Sequence, residues 1–195
     1  MKFNRDLNFG NLIGQKTLIY GETNTGKTLY TANFVQFLLE SKNNDPKEIS
    51  ILDFAPKLTY FNDLKIGGRV QDYFENSVKC NNIKVIGEII PPRLNAKNKN
   101  ELYINICHNF KKIYEIIEIF NSSPTPVLII NDISLFLHLG SNKYLINTIN
   151  KSDTFFGNSY YGSSISSKFS KLISIKEKRK VESLIKNVEN SFTTT

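Results

Sequence analysis

The sequence predicts an α/β fold: a three-layer α/β/α sandwich built on a mostly parallel sheet. Three observations carry this. Short apolar, β-branched runs alternate with helical patterns along the chain. Residues 127–130 (VLII) form a continuous apolar run of the kind that fills the buried middle of a parallel sheet. Residues 21–28 (GETNTGKT) fit G-x-x-x-x-G-K-[ST] between a short apolar run and a helical pattern, the setting this motif requires.

The elements follow in order. Residues 1–15 are a polar lead-in whose Phe3, Leu7, Phe9, Leu12 and Ile13 are expected to pack on the domain edge. Residues 16–20 (KTLIY) read as the first strand. Residues 27–41 read as a helix, with Tyr30, Phe34, Phe37 and Leu38 on one face. KNNDP at 42–46 is a loop, since Pro46 forbids a continuing helix. Residues 49–54 (ISILDF) read as a strand ending at Asp53, and 57–70 as irregular, with a turn at Gly67-Gly68-Arg69. A short helix is expected over 71–79, and a strand over 83–90 (IKVIGEII), stopped by Pro91-Pro92. Residues 93–100 are a basic loop. The longest helix is expected from about 100 to 121, where Leu102, Ile106, Phe110, Ile113, Ile117 and Phe120 recur every three or four residues. After the strand at 127–130 come a helix over 140–150, a strand over 154–158 and a Ser-rich loop opened by Tyr160-Tyr161-Gly162. A last helix over 175–188 carries Val181, Leu184, Ile185 and Val188 on one face, and residues 191–195 suit a short final strand. No repeat or domain-separating linker interrupts the pattern, so residues 1–195 read as a single nucleotide-binding domain.

Residues 21–28 form a phosphate-binding P-loop (Walker A) pattern, and each residue type has a task. Gly21 and Gly26 permit backbone angles that a Cβ would penalise, so successive N–H groups of Glu22, Thr23, Asn24 and Thr25 can turn inward around an anion. Lys27 can reach the β- and γ-phosphates, and the Thr28 hydroxyl can ligate Mg²⁺. The following helix presents its positive end to the phosphates. Asp132, closing the run 127–131, suits the acidic Walker B role of holding Mg²⁺ directly or through water. Ile133 stands where many ATPases carry a Glu that polarises the attacking water, so Asp53 is the substitute candidate base. Lys27 and Asp53 are thus the candidate catalytic residues, and Thr28 and Asp132 the candidate metal ligands. Asn158 is a candidate γ-phosphate sensor. The chain has four arginines, Arg5, Arg69, Arg93 and Arg179. Arg69 and Arg93, both in predicted loops, are the candidates for neutralising phosphate charge.

Hydrophobic residues make up 40% of the 195 and charged residues 22%, which fits a globular chain. No apolar run approaches the ~20 residues needed to span a bilayer, and MKFNRDLNFG lacks the apolar core of a signal peptide. A cytoplasmic protein without membrane contact is expected. Cys80 and Cys107 have no metal-type spacing, and His108 and His138 are each isolated in sequence. The net charge of +7 permits contact with nucleic acid. Its one cluster, KEKRK at 176–180, reads as a solvated helix face.

GETNTGKT at 21–28, ILDFAPK at 51–57, VLIIND at 127–132 and FFGNSYYG at 155–162 together resemble the RecA-like division of P-loop NTPases. The compact layout is similar to corrinoid (cobalamin) adenosyltransferases, although the loop here is Glu22-Thr23-Asn24-Thr25 and Asp132 is followed by Ile133. The resemblance implies ATP and Mg²⁺ as cofactors and a slow ATPase, with a homo-oligomer neighbour or an activating protein partner supplying a guanidinium. Two other activities fit the same residues. One is a nucleotide-dependent transferase or small-molecule kinase, whose acceptor enters near residues 91–100 or 159–164 and stacks on Tyr160 and Tyr161. The other is a non-hydrolysing nucleotide-regulated switch.

Overall fold

The computed structural model describes residues 7–61, 64–84, 86–165 and 169–194. Phe3, Arg5 and Thr195 lie outside the described residues. Six parallel strands form one sheet: β1 (Lys16–Gly21), β2 (Ile49–Asp53), β5 (Asn81–Ile83), β6 (Val127–Asn131), β7 (Thr154–Tyr160) and β8 (Asn190–Thr194). Their spatial order is β5-β2-β6-β7-β1-β8. β3 (Thr59–Phe61) and β4 (Leu64–Ile66) form a separate antiparallel pair.

The strands alternate their apolar side chains between two cores. Leu18, Leu52, Leu128, Ile130 and Phe155 face one side, covered by α2 (Lys99–Ser122), α3 (Ser134–Leu137), α4 (Asn142–Ile149) and α5 (Lys171–Ile185). Ile19, Ile51, Val127, Ile129 and Phe156 face the other, covered by α1 (Lys27–Gln36). Strands sealed on both faces have no use for a polar alternation, which is why 127–130 reads as unbroken apolar sequence. The three-layer fold is as the sequence predicts.

Local chemistry sets the helix ends. α1 widens into a π turn over Phe37–Ser41 before Pro46 opens a 3-10 turn, so the helical path stops where expected. Asn98 caps α2 by accepting from Glu101 N at 2.9 Å, while the Glu101 carboxylate accepts from Lys97 N at 2.8 Å. Leu102, Ile106, Ile113, Ile117 and Phe120 of α2 are buried, as the periodicity predicts.

Several expectations are corrected. Residues 83–90 do not form one strand: β5 ends at Ile83, and residues 86–90 leave the sheet. Gly87 takes φ +97, and Asn109 of α2 replaces a strand partner for Ile90, accepting from its N–H at 2.9 Å and donating to its carbonyl at 2.7 Å. Among the described residues β5 lies at the sheet edge beside β2, whose Leu52 pairs with Ile83 and which ends at Asp53, so a longer strand would have outrun its neighbour. The helix expected over 71–79 is two 3-10 turns, Val70–Asp72 and Glu75–Lys79. The β3–β4 pair occupies a stretch read as irregular. Ile13, expected to pack, is 41% exposed. The cluster 176–180 is not one solvated face: Glu177 is buried, and Lys180 Nζ donates to the carbonyls of Leu137 and Gly140, both at 2.8 Å. Among the described residues, no helix is long and apolar enough to cross a membrane.

Candidate functional site

A cleft opens at the carboxyl ends of the strands, where ligands of open α/β sheets collect. Its lining includes Thr23, Asn24, Gly26, Lys27 and Thr28 from the β1–α1 loop, Gly67 and Gly68, Asp132 and Asn158, and Arg93, His138, Tyr160 and Glu177.

The 21–28 loop is held from two sides. A Cβ on Gly21 would collide with the backbone carbonyl of Thr194, so glycine is required here by the approach of β8. The Thr25 hydroxyl donates to Glu22 O at 2.8 Å and lies 2.6 Å from Thr194 Oγ1. The Glu22 carboxylate accepts from the backbone N–H and hydroxyl of both Ser163 and Ser164. Desolvation opposes its charge, but the bonds from Ser164 and Ser163 hold its pKa below the ordinary value. Gly21, Glu22 and Thr25 therefore brace the loop from behind, whereas Thr23, Asn24, Gly26, Lys27 and Thr28 face the cleft.

Gly26 at φ +82 turns the chain into α1, and Asn24 also takes the left-handed conformation at φ +59. The Asn24 amide faces the backbone of Lys65 in β4, donating to its carbonyl at 2.6 Å and accepting from its N–H at 3.2 Å. Lys27 Nζ donates to Glu22 O and reaches Thr25 Oγ1 at 3.4 Å. Burial lowers the Lys27 pKa to about 8, against the opposing pull of Asp132 and Glu22.

Behind Thr28 lies a polar network at the ends of β2, β6 and β7. Thr28 Oγ1 donates to Asn131 Oδ1 at 3.3 Å. Asn131 Nδ2 donates to Asp53 Oδ1 at 2.8 Å and to Gly68 O at 3.0 Å. Asn158 Nδ2 donates to Asn131 Oδ1 at 2.6 Å and to Thr31 Oγ1 at 2.8 Å, and Asn158 Oδ1 accepts from Asp132 N at 3.0 Å. Asp132 adopts φ +62, beyond the strand end, and its carboxylate accepts from Ser134 Oγ at 2.6 Å. Burial raises its pKa; the Ser134 bond and the Lys27 charge oppose the rise.

No protein-family model matches the chain, and no curated protein matches it. The site is therefore read from its own chemistry.

Of the residues singled out in the sequence, Lys27, Thr28, Asp132 and Asn158 converge on the cleft. Asp53 does not line it. Its carboxylate accepts from Val70 N at 2.8 Å and Ala55 N at 3.2 Å as well as from Asn131, so it anchors the 67–70 loop. Burial pushes its pKa up to about 6. Arg69 opens the 3-10 turn at Val70–Asp72, with its N–H bonded to Asp72 at 2.7 Å, and is not among the cleft-lining residues. Tyr160 lines the cleft, but Tyr161 turns away, donating to Glu182 at 2.8 Å.

Two residues that stand apart in sequence are joined in space: Arg93, from a predicted loop, is 7% exposed, and His138 is not isolated. Arg93 pairs with the Glu177 carboxylate, and His138 Nε2 lies 3.5 Å from Glu177 Oε1 and 3.4 Å from Arg93 Nη2. The Arg93 guanidinium also sits 5.8 Å from the centroid of the Tyr160 ring. Glu177 shares the α5 stripe of Ile173, Val181 and Leu184, so carrying the apolar spacing back from Val181 by four residues finds it. Asn131, the partner of Thr28, hides in sequence as the last residue of a strand.

Among the described residues, no three His, Cys, Asp or Glu side chains cluster as a ready metal site. The oxygens of Thr28 and Asp132, both lining the cleft, are nevertheless of the kind a hard divalent cation accepts when phosphates and water complete its shell.

Proposed function

We propose that this chain is a P-loop NTPase of the RecA-like kind, which binds ATP with Mg²⁺ in the cleft and hydrolyses it slowly. One observation carries the reading. The loop that fits the Walker A pattern joins the end of a parallel strand to the start of α1, with Lys27 and Thr28 facing a cleft that Asp132 and Asn158 also line.

In this reading the backbone N–H groups around Gly26 and the start of α1 receive the phosphates. Lys27 exchanges its bond to the Glu22 carbonyl for a phosphate oxygen, which offsets the loss of one partner with a charge-assisted one. Thr28 and Asp132 would hold Mg²⁺, which supplies charge neutralisation at the β- and γ-phosphates. Asn158, bonded to Asn131, Thr31 and the Asp132 N–H, keeps the strand ends in register with Thr28 and would sense the γ-phosphate through these partners rather than by direct contact. Asp53 acts through Asn131 as a positioning residue. Among the described residues Arg93 pairs with Glu177 through one nitrogen and Arg69 does not line the cleft, so a guanidinium aimed at the γ-phosphate, which contributes roughly 10³–10⁵ in rate where it acts, would come from elsewhere. A homo-oligomer neighbour or an activating protein partner would supply it.

Titration of Mg·ATP into wild type and Lys27→Ala, with phosphate release measured on the same samples, tests the reading. Binding lost in the variant and slow, Mg-dependent release from wild type are expected. Absence of ATP binding to wild type overturns it. A transferase reading is favoured by one specific feature, the charged wall beside the phosphate region.

A further inference from the structure

We propose that the part of the cleft wall formed by Arg93, His138, Glu177 and Tyr160 is a subsite for a second ligand, a small organic molecule bearing one carboxylate on an apolar body. The proposal deepens the nucleotide reading and rests on it for the neighbouring half of the cleft.

Three segments far apart in sequence converge here: the loop after Pro91-Pro92, the end of α3 and the middle of α5. Each contributes a charged or titratable side chain, and Arg93, His138 and Glu177 are 7%, 7% and 3% exposed. A buried ion pair is seldom stabilising relative to apolar residues of the same volume, because desolvation opposes the Coulombic gain. This one is also incompletely satisfied. Arg93 Nε and His138 Nδ1 are buried without a hydrogen-bond partner among the described residues, and Glu177 Oε1 has the 3.5 Å contact with His138 in place of a full bond. Unmet polar groups of this kind in an otherwise paired interior call for an explanation. All three residues line the same cleft as Lys27, which provides one.

The chemistry of the wall selects the ligand. Arg93 engages Glu177 through Nη2 alone, which leaves the rest of its planar fork for a second acceptor, and a carboxylate matches that plane. Glu177 already offsets one positive charge and Asp132 lies in the same cleft, so a dianion would meet two carboxylates while a monoanion gains most from the guanidinium. Pro91, Pro92, Leu94, Leu135 and Ile165 supply an apolar lining for the body of the ligand. Lys27 and Asp132 line the same cleft as Arg93, His138 and Glu177, so a ligand at this wall sits beside the phosphate region.

The test follows the Arg93 Nε–H signal and backbone amides by NMR in ¹⁵N-labelled protein, with and without Mg·ATP, during titration with benzoate. Benzyl alcohol and phenyl phosphate serve as the neutral and dianionic controls. Benzoate is expected to shift Arg93 Nε–H and the amides of Leu94, Leu135 and Ile165, and to bind at least about tenfold more tightly than either control, as a charge-assisted bond allows. Glu177→Gln, which keeps shape and removes the competing carboxylate, is expected to tighten benzoate by roughly tenfold, whereas a purely structural Glu177 would leave it unchanged or weaker. Arg93→Gln is expected to abolish the shifts while retaining ATP binding, which reports its folding. No shift up to about 10 mM benzoate, equal binding of the three probes, or no tightening in Glu177→Gln overturns the subsite. Loss of ATP binding by wild type in the same samples overturns the nucleotide reading instead.

Discussion

Thr28 and Asn131 meet across a strand to which neither belongs: Thr28 Oγ1 donates to Asn131 Oδ1 at 3.3 Å, although β7 separates β1 from β6. Asn158 of β7 closes the gap with its 2.6 Å bond to the same Asn131 oxygen. Asn131 must therefore accept on one atom and donate on the other, to Asp53 and Gly68. A carboxylate cannot do both.

Asn131→Asp should accordingly destabilise the protein by about 2–4 kcal/mol at pH 8, since it removes two donated bonds and sets a second carboxylate against that of half-buried Asp53. The loss should shrink at pH 5, where one carboxyl of the pair takes up a proton. Urea unfolding at the two pH values measures it, and wild-type stability at pH 8 would show that the amide is dispensable.

Asp53 should also shape stability in the wild type. Its pKa rises from an unfolded value of 3.8 to about 6, so between those values the folded state binds more protons than the unfolded one. Stability from this group is fully present below about pH 4 and is lost as pH rises towards 6. Asp53→Asn should flatten the dependence of Tm on pH across that window, read by thermal scans at pH 4, 5, 6 and 7. An unchanged slope would mean that Asp53 ionises normally.

Lys27, whose pKa is shifted in the opposite direction to that of Asp53, sets a pH dependence of binding rather than of stability. With its pKa lowered to about 8 in the free protein, its ammonium is lost as pH rises through that value. Binding of a polyphosphate requires the charged form, so ATP affinity should fall by up to about tenfold per pH unit above 8. Displacement of a fluorescent ATP analogue at pH 7, 8 and 9 tests this, with Lys27→Met expected to be weak and flat throughout.

The carboxylate of Glu22 ties the 21–28 loop to Ser163 and Ser164. Glu22→Ala should leave those two amides exposed to exchange, raising their hydrogen-exchange rates by roughly tenfold or more, with a change in Tm of only a few degrees because the bonds are exposed. Mass-spectrometric exchange on a peptide covering 159–165 reads the effect. Unchanged protection would show that the serines are held by something else.

Much of this architecture is legible in local sequence because the physics that sets it is local. The unbroken run at 127–130 needs two covered faces, and the three- and four-residue spacing from Leu102 to Phe120 makes one buried stripe. The helix after Gly26 and the facing of Lys27 and Thr28 into the cleft likewise come from a glycine at positive φ followed by a helix start. Residues 83–90 misled because their apolar side chains are satisfied without a strand: Ile89 is buried, and Asn109 takes over the backbone of Ile90. Glu177 was hidden by its own charge, which masked its place on the α5 stripe.

The sequence by itself determined that strands and helices alternate, where the main helices lie, and that a glycine-rich loop with Lys27 and Thr28 stands between the first of each. Tertiary structure alone decided which strand ends meet. The order β6-β7-β1 brings Asn131 to Thr28, turns Asp53 towards Val70 instead of the cleft, and collects Arg93, His138 and Glu177 from three distant segments. Helix periods and turn residues act over a few positions of the chain, whereas strand order and the pairing of buried charges depend on contacts between segments tens of residues apart, which no local spacing encodes.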